Sequence, residues 1–78
     1  MINELDRVIL TSDLPEEGLA TGDVGAVVHV YRGGAGYEVE FVTLDGETVA
    51  VVTLKPDQIR PAARREIPHA RRLEPAVR

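Results

Sequence analysis

The chain has no cysteine, no tryptophan, a single methionine and an aromatic content of only 4%. Without cysteine there are no disulfides, no thiolate nucleophile and no cysteine-ligated zinc. With so few aromatic rings, the core must be built from Val, Leu, Ile and Ala. The aromatic groove with which SH3 domains take proline-rich peptides also has little to line it beyond Tyr31, Tyr37 and Phe41. No apolar run approaches the roughly 20 residues of a membrane-spanning helix. The first residues, Met1–Asp6, lack the basic-then-apolar order of a signal peptide. A cytoplasmic protein with no membrane contact is therefore expected.

What is present fits one small domain. Its 78 residues are 44% hydrophobic, enough apolar material for a core without covalent staples. The net charge of −4 is unevenly spread. Through Ile59, three basic residues face eleven acidic ones, a net of −8; from Arg60 onward, six arginines face two glutamates, a net of +4. An acidic body with a basic tail is the dominant electrostatic feature.

The body reads as strands and turns. Leu5–Thr11 is apolar and β-branched, and Ser12-Asp13-Leu14-Pro15 closes it. In Val24–Tyr31, the residues Val24, Ala26, Val28 and Val30 fall on one face at period two. Tyr37–Val42 alternates Tyr37, Val39 and Phe41 against Glu38 and Glu40, the pattern of a half-buried antiparallel strand. Glu47–Leu54 is a further strand, apolar on both faces. Glycines in Arg32–Gly36 and the Asp45-Gly46 pair predict tight connections. Pro56–Ile59 reads as a helical turn before a last strand at Ile59–Pro61. The expected fold is all-β: a small five-stranded SH3-like barrel over residues 1–61, followed by a flexible Arg-rich C-terminal extension over residues 62–78 that either stays solvated or folds back on the acidic body or onto a partner's acidic surface.

Three segments carry a family resemblance. They are Leu5-Asp6-Arg7-Val8-Ile9-Leu10-Thr11, Gly18-Leu19-Ala20-Thr21-Gly22-Asp23-Val24-Gly25-Ala26-Val27-Val28, and Tyr37-Glu38-Val39-Glu40-Phe41 with Thr53-Leu54. Together they resemble a family of small bacterial proteins defined only as a domain of unknown function. The resemblance spans about residues 4 to 60 and leaves the tail outside. It implies an SH3-like barrel, usually as a stand-alone chain, that partners toxin-type proteins encoded nearby in an antitoxin or immunity role. It implies no catalytic residues. Gly22–Val28 is also similar to the KOW motif of ribosomal and transcription proteins, which shares a Gly-Asp turn feeding a Val-rich strand.

No chemistry-bearing constellation emerges, so no catalytic residue, metal site or cofactor is expected. Ser12, the only serine, sits in a turn with no base nearby in sequence. His29 and His69 are forty residues apart, which is no metal-ligand spacing. Gly33-Gly34-Ala35-Gly36 lacks the Gly-Lys-Ser/Thr ending of a phosphate loop. The paired carboxylates of Glu38 and Glu40, about 7 Å apart on a strand, suit a solvated or partner-binding face better than acid–base catalysis.

A protein partner is therefore expected, a toxin-like nuclease with a basic channel in the leading reading. Its contacts would be Glu38, Glu40, Asp45 and Glu47 around the hairpin and Asp13, Glu16 and Glu17 on the long loop, with Tyr31 and Leu14 as anchors. Two alternatives stay open. Tail arginines (Arg64, Arg65, Arg71 and Arg72, with Arg60 and Arg78) would contact phosphates in a nucleic-acid-binding domain. Or Val49–Leu54, apolar on both faces, would pair in a homo-oligomer.

Overall fold

The computed structural model describes residues 1–73. These form five strands: β1 (Arg7–Leu10), β2 (Val24–Val30), β3 (Tyr37–Val42), β4 (Thr48–Leu54) and β5 (Ile59–Pro61). Three single 3-10 turns, Pro15–Glu17, Arg32–Gly34 and Pro56–Gln58, sit in the connections, and the described residues contain no α-helix. No helix among them is long and apolar enough to cross a membrane. All five strands join one antiparallel sheet in the order β4-β3-β2-β1-β5.

The expected bounds of β3 and β5 are those observed, and β4 begins one residue later than expected. Between β2 and β3, Gly33 and Gly34 take φ of 65° and 77°, a region open to glycine at little cost, which makes the connection short.

Two bulges shape the sheet. On β2, Val27 pairs Val39 while His29 pairs Glu38, so Val28 is an extra residue. On β4, Ala50 pairs Phe41 while Thr48 pairs Val42, so Val49 is extra. Each bulge bends its strand and increases the local twist.

The β2 bulge corrects one expectation. Val24, Ala26, Val28 and Val30 do not share a face. Gly25 and Val27 turn inward instead, with Val27 fully buried, while Val24 and Val28 are 38% and 43% exposed. Val30 then packs against the core because the bulge has shifted the alternation. Gly25 is what brings β2 and β3 together. A Cβ there would lie 2.5 Å from Val39 Cγ1 and 2.8 Å from Phe41 Cε2, so only a residue without a side chain fits.

The core consists of Val8, Leu10, Leu19, Val27, Tyr37, Val39, Phe41, Leu54 and Ile59, with no buried polar or charged side chain among the described residues. It draws on every strand and on Leu19 of the β1–β2 connection. Aliphatic side chains dominate it, as the composition requires, with Phe41 and Tyr37 supplying its two rings.

Candidate functional site

The antiparallel register sets out the outer face of β2, β3 and β4 in rows. Ala26, Glu40 and Val51 form one row; His29, Glu38 and Thr53 form the next. Because Tyr37, Val39 and Phe41 are drawn into the core, alternation holds Glu38 and Glu40 on the opposite side, both half-buried.

Hydroxyl groups hold both carboxylates. Thr53 Oγ1 donates to Glu38 Oε1 at 2.5 Å, and the Tyr31 hydroxyl donates to the same oxygen at 3.2 Å. Thr48 Oγ1 donates to Glu40 Oε2 at 2.8 Å. Tyr31 stands edge-on to His29, ring centroids 4.7 Å apart at 83°. Glu4 Oε2 lies 3.9 Å from His29 Nδ1. Among the described residues no lysine or arginine forms an ion pair with Glu38 or Glu40. The face therefore offers two oriented carboxylates whose remaining acceptor positions are open to a cation.

The other expected contacts are spread more widely. Asp45 and Glu47 lie exposed at the β3–β4 turn, where the Thr43 hydroxyl donates to Asp45 and accepts from the Glu47 N–H at 2.9 Å. Glu16 and Glu17 are exposed in the first 3-10 turn. Asp13 is committed within its own loop: Oδ1 accepts from the Thr21 N–H at 2.8 Å and the Thr21 hydroxyl at 2.9 Å, and these bonds hold its pKa below the ordinary carboxylate value. Leu14 is half-buried, bridged to Leu19 and packed on the core, so it anchors the loop more than it meets solvent. Tyr31, 40% exposed, remains available as an apolar contact.

The tail runs back along the body. Arg60 makes a bidentate pair with Glu66 at 2.9 and 2.6 Å, and Glu66 also accepts the Ala63 N–H at 2.6 Å. The arginine bonds, then the amide, hold the Glu66 pKa down at about 2. Arg71 reaches Asp23, with Nε 2.8 Å from Oδ1 and Nη2 2.6 Å from Oδ2, and Nη2 also donates to the Gly18 carbonyl at 3.0 Å. This lowers the Asp23 pKa, chiefly through the guanidinium bonds. Arg64, Arg65 and Arg72 are exposed; Arg78 lies outside the described residues.

Sequence reasoning missed Asp23, reading Gly22-Asp23 only as a turn. The turn is there, since Asp23 Oδ2 accepts the Ala20 N–H at 2.9 Å, but the same carboxylate also takes the arginine. No pattern in the sequence links positions 23 and 71. No group of three or more His, Cys, Asp or Glu suited to a metal ion occurs among the described residues.

Comparison with known proteins locates the chain in one family. No curated protein and no solved structure matches it. The family model described as domain of unknown function (DUF4926) matches residues 4–61, which include all five strands and leave out the tail. The chain therefore belongs to the DUF4926 family.

Proposed function

We propose that this chain is a non-enzymatic, cytoplasmic protein-binding module of a bacterium, an antitoxin or immunity-like partner that holds a basic surface of a toxin against the outer face of β3. The observation that carries this reading is the pair Glu38 and Glu40. Both are preset by hydroxyl donors and lack a cationic partner among the described residues. They sit on a body of net charge −8. Such a surface draws a basic partner over distance and orients it on contact. A nuclease channel, built to hold phosphates, has the matching charge. Tyr31 supplies an apolar ring beside Glu38.

The architecture behind this face is read as an SH3-like barrel. Leu54 of β4 and Ile59 of β5, from the two ends of the sheet order, meet in one core cluster. A sheet whose end strands share a core must curl over it. The bulges at Val28 and Val49 supply curvature, and the Pro56–Gln58 turn swings the chain from one end strand to the other.

The test is genetic and direct. The product of the adjacent gene is expressed in a host cell with and without this chain. The reading expects it to be toxic alone, silenced by the wild-type chain, and not silenced by the Glu38→Lys/Glu40→Lys double variant. A neighbour harmless on its own, together with recovery of no toxin-like protein on the chain from its native host, would sink the idea.

A second reading rests on β4. It is an end strand of seven residues, Thr48–Leu54, with no charge, proline or glycine to blunt its edge, and Val51 is 51% exposed. Such an edge is a template for pairing with a second copy. Sedimentation of a single monomeric species at high concentration would dismiss it. The nucleic-acid reading gains less, because Arg60 and Arg71 are already engaged by Glu66 and Asp23.

A further inference from the structure

A groove of about 1220 Å³ opens between the β1–β2 connection, the β3–β4 turn and the tail. Leu19, Phe41 and Val49 contribute apolar surface to it, and Asp45 and Glu47 stand at the hairpin end. Pro68–Leu73 lies along it without regular secondary structure, and Leu73 is half-buried. At the loop end, Asp23 and the Gly18 carbonyl receive Arg71 with three hydrogen bonds. Only one carboxylate edge and one carbonyl are offered, and their spacing matches the planar fork of a guanidinium, which an ammonium cannot fill in the same way.

The two halves of this contact lie on either side of the end of the family match. Gly18 and Asp23 lie inside the family-matched segment 4–61, and Arg71 lies outside it. The cradle thus lies within the family-matched span, and the arginine that fills it comes from the tail beyond that span. Asp23 is also held independently of the tail, because the Ala20 N–H fixes one of its oxygens.

We propose that the Asp23–Gly18 cradle and the groove beside it are a recognition site for an extended, arginine-bearing segment of a protein partner, and that the tail fills it in cis as a stand-in. The net negative charge of the body favours such a segment, and the groove supplies apolar contact beyond the arginine. A tethered tail competes at an effective concentration in the millimolar range, so a free segment binds well only when Arg71 is withdrawn. This adds a second contact point beside the outer face of β3: Glu40 also lines the groove, while the arginine cradle uses only Asp23 and the Gly18 carbonyl, so a test read at the cradle stands apart from the Glu38–Glu40 pair.

The test uses the full chain carrying Arg71→Ala and a synthetic peptide of residues 66–73. Nitrogen–proton spectra are recorded as the peptide is added. The expected result is saturable shifts of the Gly18, Thr21, Asp23 and Val24 amides. These shifts are absent with the peptide in which Arg71 is replaced by alanine, and smaller when the wild-type chain is the host. Adding Asp23→Asn to the Arg71→Ala chain keeps an acceptor for Ala20 but removes the charge, and is expected to abolish the shifts. No shifts at several millimolar, or equal shifts from both peptides, would overturn the proposal, and would leave the Glu38–Glu40 reading to its own genetic test.

Discussion

Arg71 lays the side of its guanidinium against Asp23, Nε to Oδ1 and Nη2 to Oδ2, and so ties residue 71 to residue 23 across the molecule. The pair is partly exposed, 40% for Arg71 and 18% for Asp23. Contacts of this exposure contribute about 0.2–1 kcal/mol. Arg71→Ala is therefore expected to leave the thermal midpoint nearly unchanged while lowering the heteronuclear NOE at Ala70 and Leu73. Arg71→Lys, charged but without the fork, should fall between. Unchanged NOE values in Arg71→Ala would mean that this contact does not position the tail.

Acid should loosen the tail contacts in a defined window. Asp23 and Glu66 both have folded pKa values below the ordinary ones of 3.8 and 4.5. A carboxylate with a depressed folded value stabilises the fold fully above its unfolded value and loses that contribution as pH falls through the folded one. The contacts are therefore complete at neutral pH and begin to weaken only below about 4.5, with the Arg60–Glu66 pair persisting until about 2. Carboxyl carbon shifts read this directly: Glu66 should inflect near 2, and an inflection at its ordinary value would contradict the pairing.

Gly25→Ala tests how β2 meets β3. The added methyl would fall 2.5 Å from Val39 Cγ1 and 2.8 Å from Phe41 Cε2, and both neighbours are buried. Overpacking of this kind costs about 1–3 kcal/mol. The urea midpoint should fall accordingly with the slope unchanged; an unaltered midpoint would show that the strands are free to move apart.

That same glycine explains where the sequence misled. β3 was legible because Glu38 and Glu40 alternate with Tyr37, Val39 and Phe41, and only the terminal Val42 breaks the pattern. β2 was not, because Val27 and Val28 are both valine and either parity looks apolar. The choice between them is made by the rings and methyls of β3, which need the space at Gly25, and by the bulge at Val28. The site divides in the same way. Glu38 and Glu40 could be placed from period two alone. Asp23 could not, because its arginine lies 48 residues away and only tertiary folding brings them together. Leu14, expected as an apolar anchor for a partner, is half-buried through its bridge to Leu19 and its packing on the core, a contact no local pattern announces.

Two leucines separate burial from composition. Leu54 is 2% exposed and Leu44 is 92% exposed. Leu54→Ala should cost about 2–5 kcal/mol through lost burial and a residual cavity. Leu44→Ala should stay within about 0.5 kcal/mol. Equal effects in a chemical denaturation series would contradict the placement of the β3–β4 turn.

The most direct measurement for the outer face of β3 is calorimetric titration of the purified adjacent-gene product into the wild-type chain and into Glu38→Lys/Glu40→Lys. Both chains should melt within a few degrees of each other, since the two glutamates lie outside the core. The double variant should bind at least about tenfold more weakly, a loss of about 1.4 kcal/mol or more. Equal affinity for the two chains would contradict the assignment of that face as the partner-binding surface.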